Sequence, residues 1–290
     1  MFTRTTVNCR EIVCTNVREI VEAYPLPPTV AHNTHLAPEC THKGTSYAGK
    51  EWYGDAKTQS DCDAAVSSGW HKGADKVSRF AEELAVNAPP AVDVRRKRRR
   101  MDDGDDLCID SAMRGEWDTA WETFRRAETN GNPIVELVFN WGMSCGVTGE
   151  QMFWQGAVAC ALTDILEGAG YRVGLTAVQA IRHGSPTPGK GVRAATVIRV
   201  KDVGDSMCLS DLAAFTAHAG VYRTYGFKMI LEHSAKVEGN LGYPEYDDAD
   251  MRGDVAESGY ISDRAVWIPS VYDRASAIRT VREMLEALAK

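Results

Sequence analysis

The sequence predicts an α/β protein. The expected architecture is a mainly parallel sheet with helices on both faces, plus a smaller, mostly helical N-terminal region. Three observations carry this. Residues 132–178 read as strand, polar turn, long helix, glycine stop and strand, a pattern that implies a right-handed parallel βαβ unit. Short β-branched runs alternate with helical patterns from there to the end of the chain. A turn cluster, Thr129-Asn130-Gly131-Asn132-Pro133, separates that half from a differently patterned first half.

Residues 1–46 form an irregular arm. Val7 to Val21 fits a strand or a short helix, and Pro25, Pro27 and Pro28 interrupt any regular element. The His32, His35, Cys40 and His42 spacing matches no standard zinc module and reads as a polar surface loop. Residues 47–131 read as a mostly helical module. Val77, Phe80, Ala81 and Leu84 recur at helical spacing before Pro89-Pro90 stops the pattern. At 93–106 an exposed linker is expected, with Arg95, Arg96, Lys97, Arg98, Arg99 and Arg100 in unbroken series and Asp102, Asp103, Asp105 and Asp106 close behind. Six cations in a row suit salt-sensitive, sequence-blind nucleic-acid binding, while the acidic block opposes it. The four carboxylates read as an acidic turn, a divalent-cation site being the alternative. Met113, Trp117, Trp121 and Phe124 are spaced four, four and three apart, which predicts one apolar helix face.

Residues 132–290 form the α/β domain. Ile134 to Phe139 is the first strand, Gly149 to Glu167 a helix apolar on most sides, and Tyr171 to Val178 the second strand. Ala194 to Val200 is the third strand, after a Pro/Gly loop at 182–191. A short helix at 209–219 precedes the fourth strand, Phe227 to Leu231. Residues 238–262 make a long acidic loop. Val266 to Ile268 is the fifth strand, and Asp273 caps a final helix carrying Ile278, Val281, Leu285 and Leu288 on one face.

The net charge of −7 argues against wholesale polyanion binding, and no apolar run is long enough to span a bilayer. The first residues hold no apolar signal core, and the eight cysteines include no Cys-x-x-Cys pair. Both point to a reducing, cytoplasmic setting without membrane attachment. Neither a dinucleotide-binding glycine fingerprint nor a phosphate-binding P-loop is present. Cys145 on a turn, with His218 or His233 as base, is a weak candidate nucleophile against a structural thiol.

In a parallel sheet, ligands sit outside the carboxyl ends of the strands. That places candidates at the turn Asn140 to Gly146, at the loop with Asp202, Asp205 and Ser206, and at Glu232 and His233. A strand ending in a serine-bearing polar turn, then a buried helix, then Gly170-Tyr171-Arg172-Val173 resembles the von Willebrand factor A domain, a Rossmann-like fold. The resemblance covers about residues 132–290. It maps the family's Asp-x-Ser-x-Ser metal-ion-dependent adhesion site onto Asn140, Gly142 and Ser144, with Asp205 and Glu232 near later ligand positions. Only Ser144 keeps the family residue type, so the resemblance implies no cofactor or a weakly bound Mg²⁺. Gly69-Trp70-His71-Lys72-Gly73, the basic run and Asp103-Gly104-Asp105 together resemble uncharacterised bacteriophage-borne proteins, which implies a host cytoplasm. The function expected is a non-enzymatic binding or adaptor protein that presents carboxyl-end loops to a protein partner. The alternative is nucleic-acid binding through Arg95 to Arg100.

Overall fold

The computed structural model describes residues 2–5, 9–13, 52–56, 58–87, 96–101, 106–126, 133–144, 146–183, 192–229, 243–244 and 259–289, with single positions near 19–22 and 252–255. In chain order the strands are β1 (Phe2–Thr5), β2 (Cys9–Val13), β3 (Arg96–Met101), β4 (Asp106–Leu107), β5 (Trp121–Arg126), β6 (Ile134–Asn140), β7 (Arg172–His183), β8 (Val192–Lys201), β9 (Tyr243–Pro244) and β10 (Val266–Ile268). The helices are α1 (Gln59–Ser68), α2 (His71–Leu84), α3 (Ile109–Met113), α4 (Gly149–Gly168), α5 (Leu209–Thr216), α6 (Ala219–Val221) and α7 (Arg274–Leu288).

The main sheet runs β1-β2-β8-β7-β6-β10, with β9 also paired to β7. The expected βαβ unit is present: β6 and β7 are parallel from Ile134↔Arg172 to Asn140↔Val178, and α4 connects them. On the other side of β6, β10 is parallel as well. The β7–β8 pair is antiparallel, with Leu175 opposite Lys201 and His183 opposite Val192. The four central strands therefore make a mostly parallel mixed sheet.

Capping sets where the helices begin. Thr148 and Gln151 form a reciprocal capping box at the start of α4, and the Asp273 carboxylate accepts from Ser276 N–H at 2.9 Å at the start of α7. α4 lies on the sheet and is covered in turn by α2 and α5. Gly156 allows that closeness, since a Cβ there would sit 2.2 Å from the Thr216 carbonyl oxygen. One core joins both halves of the chain: Cys62, Val77, Phe80 and Leu84 pack in the same cluster as Leu137, Leu162, Leu175 and Val281. The expected module at 47–131 thus shares its helical part with the α/β core. Helices α1, α2, α4, α5 and α7 all contribute to this one cluster. The opposite face of the sheet, with Val138, Val178, Val197 and Trp267, is closed by Val255 and Tyr260.

Three expected elements are corrected. The segment expected as a fourth strand at 227–231 is helical through Met229, continuing α6 through a π turn at Tyr222–Gly226. The helix expected from Met113 to Phe124 is instead α3, a 3-10 turn at Trp117–Thr119 and strand β5. Gly115, at φ +75°, turns the chain between them. The basic run, expected as a linker, supplies β3 of a small antiparallel sheet ordered β3-β5-β4.

Candidate functional site

The carboxyl end of β6 is filled by the chain's own side chains. Trp141 is buried, stacks on Phe215 with ring centres 4.3 Å apart, and donates its indole N–H to Phe215 O at 3.0 Å. Tyr222 Oη accepts from Met143 N–H at 3.0 Å and from the Gln179 amide at 3.2 Å. Arg223 donates to Val147 O and lies 4.2 Å over the Trp52 ring. The π turn is therefore the plug that holds the β6–α4 turn closed.

Of the residues expected to hold a metal, Asn140, Ser144 and Asp205 are described, and these three do not assemble. The Asn140 side chain is buried and its Oδ1 accepts from Gly142 N–H at 2.9 Å. Ser144 Oγ accepts from Gly146 N–H at 3.2 Å. Asp205 accepts from Asp202 N–H, in a loop whose Val203 O receives Arg172 Nε. Arg172 pairs with Ile134, the first residue of β6, whereas Asn140 is the last. Asp205 and Asn140 thus sit at opposite ends of the sheet, because antiparallel β8 returns the chain to the amino end of its neighbours. Glu232 and His233 lie outside the described residues, as do Arg95, Cys145, the His32–His42 cluster and residues 102–105. Among the described residues no group of three His, Cys, Asp or Glu is placed to hold a metal ion. Among the described residues the geometry at Asn140 and Ser144 does not fit Mg²⁺, since both oxygens accept from backbone N–H groups and no described carboxylate joins them.

A cleft of about 650 Å³ opens beside this plug, a volume in the range of small-ligand sites. It is framed by residues 54–55, α2, the first turns of α4, residues 217–219 and the start of α7. Its walls are aromatic. Trp70 meets Phe153 edge to face at 6.1 Å, Phe153 meets Trp154 at 5.2 Å, and Trp154 meets Phe80 at 5.5 Å. The rim carries Lys76, Arg79 and Arg274 against Asp55, Glu83 and Glu150. Arg274 is bonded to Glu83 at 2.6 Å, and Asp55 to Lys72 at 3.0 Å.

His218 closes the floor. It is 4 % exposed, its ring centre is 4.6 Å from that of Trp70, and its Nδ1 accepts from Val221 N–H at 3.2 Å. That acceptor role places the ring proton on Nε2. Burial pushes its pKa down to about 4, against the opposing pull of Asp55 and Asp61. His218 is thus a neutral cap at neutral pH. Burial likewise pushes the Cys62 and Cys160 thiols up to about 12, which removes them as nucleophiles near neutrality.

Sequence reasoning missed Trp70, Phe153 and His218 as a group. The Gly-Trp-x-x-Gly segment was their signal. Trp70 folds back over α2 so tightly that a Cβ on Gly73 would fall 2.0 Å from its ring, and Gly69, at φ +81°, would meet Ser210 Oγ at 2.5 Å. Gly73 leaves room for that indole in the cleft wall, and Gly69 for the close approach of α5.

A family model described as a domain of unknown function, DUF7192, matches residues 11–290. Neither the comparison with curated proteins nor that with solved structures finds a match.

Proposed function

The chain belongs to the DUF7192 family, and from that premise we propose that it is a non-enzymatic binding or adaptor protein that docks a protein partner in the aromatic cleft beside the carboxyl end of β6. The observation that carries this reading is the cleft itself: rings and mixed charges converge there, as they do at recognition sites. The buried thiols and the capped, neutral His218 favour binding over catalysis. The parallel β6–α4–β7 unit with a polar turn at its carboxyl end supports a von Willebrand A-like reading of residues 132–290. No helix among the described residues is long and apolar enough to cross a membrane.

The test compares partner capture by the native chain, by an Arg79→Glu variant and by an Arg282→Glu control on α7. Arg79 lines the cleft and Arg282 does not. Capture lost in the first variant and kept in the control supports the reading. A metal-dependent hydrolysis abolished by Ser144→Ala refutes it.

A second reading, nucleic-acid binding, is favoured by one observation. The run Arg96–Arg100 is a strand whose neighbour β5 sets Arg126 opposite Arg96 and Arg125 opposite Lys97, so basic positions lie side by side on two strands. Trp117 in the same module is 60 % exposed, available for base stacking. Replacing Arg95 to Arg100 by serine should flatten the slope of log affinity against log salt for single-stranded and duplex DNA, and an unchanged slope removes this reading.

A further inference from the structure

Resting on the cleft as the recognition site, we propose that its occupant is a short acidic segment of the partner, which inserts one aromatic side chain and lays an adjoining carboxylate against α2. Four features converge on this chemistry. The wall rings meet edge to face, and Trp70, Phe153 and Trp154 remain only half-buried, so ring area is left for a guest. An inserted aromatic ring extends that edge-to-face series.

Part of the charge on α2 has no carboxylate to offset it among the described residues, although Lys76 Nζ lies 5.4 Å from the Phe153 ring centre. Lys76 and Arg79 are exposed, one helical turn apart, and neither has a carboxylate partner among the described residues. Arg274 and Lys72, by contrast, are already engaged by Glu83 and Asp55. The first turn of α4 adds donors: the capping box takes the N–H groups of Thr148 and Gln151, leaving those of Gly149 and Glu150 with no helical acceptor beside the cleft.

The floor adds one further donor. With Nδ1 committed to Val221, the His218 ring carries its proton on Nε2 at the floor of the cleft. A buried neutral donor suits a peptide carbonyl or carboxylate oxygen.

The rim sets the size of the charge. Asp55, Glu83 and Glu150 face the same space as the three cations. A phosphate dianion or polyphosphate concentrates its charge and meets that repulsion more strongly than separate carboxylates, which can reach Lys76 and Arg79 singly. An acidic, aromatic peptide therefore fits where a nucleotide does not.

The experiment measures binding of a fluorescein-labelled peptide, Gly-Gly-Glu-Glu-Phe-Glu-amide, to the full chain by anisotropy. One control peptide has alanine for phenylalanine, and another has glutamine for each glutamate. The native peptide should bind at least about tenfold tighter than either control. Lys76→Glu with Arg79→Glu should erase that advantage while leaving thermal unfolding unchanged, since both side chains are exposed. Equal binding of all three peptides overturns the proposal. Displacement of the peptide by AMP at lower concentration than by unlabelled peptide also overturns it, in favour of a nucleotide site. If the peptides fail while Arg79→Glu still abolishes partner capture, this inference falls and the binding reading stands.

Discussion

Replacing His218 by asparagine should flatten the acid limb of the stability curve. Asparagine keeps a cap oxygen for Val221 N–H but does not titrate. In the native chain burial holds His218 near 4, against about 6.5 for an unfolded histidine. The folded state therefore favours the neutral ring. Above about pH 6.5 both states are neutral and the stability is fully present. Below that the unfolded chain takes up a proton that the folded chain refuses, and stability is lost until about pH 4. The full loss is about 3 kcal/mol, of which about 2 kcal/mol is reached by pH 5. Carboxylates titrate alike in both proteins and cancel in the comparison. Urea unfolding of both at pH 7.5 and pH 5 measures it: the native chain should lose about 2 kcal/mol more than the variant. Parallel losses would refute both the burial of the ring and its neutral state.

Other expectations follow from packing and chemistry. Gly73→Ala should destabilise the fold by about 1–3 kcal/mol, because its Cβ displaces the Trp70 ring; differential scanning calorimetry reads this, and an unchanged transition counts against the seated indole. Lys201→Met should cost about 2–4 kcal/mol, since the buried ammonium is bonded to Glu167 at 2.5 Å and to Val173 O at 2.9 Å; denaturant midpoints would show it. In the folded chain a maleimide should label exposed Cys208 quickly and reach Cys62 and Cys160 only after unfolding, as peptide mass mapping would reveal.

The βαβ unit was legible because its helix is too uniformly apolar and its strands too β-branched for other elements, and because Gly168-Ala169-Gly170 ends the helix where expected. The segment at 227–231 misled because a short apolar run, once buried, has no periodicity to separate strand from helix. Met113, Trp117, Trp121 and Phe124 imitated a helix face across a glycine whose positive φ breaks it. The basic run gave no period at all, since a strand made only of cations alternates nothing. Asp205 parts from Asn140 and Ser144 for a topological reason. β8 runs antiparallel to β7, so the chain leaves β8 at the amino end of the neighbouring strands. Asp205 was therefore carried to the wrong end. The cleft was invisible because its walls come from distant segments, and only their backbone geometry brings them together.

The second strand of the chain has a late partner. Cys9–Val13 forms its ladder with Ala195–Arg199 on one side and with β1 on the other, and among the described residues these are its partners in the main sheet. During synthesis this hairpin emerges long before the edge it completes. It must wait, unzipped from the body of the molecule, until the ribosome has passed Lys201, so docking of the leading hairpin should be among the slow, final events of maturation.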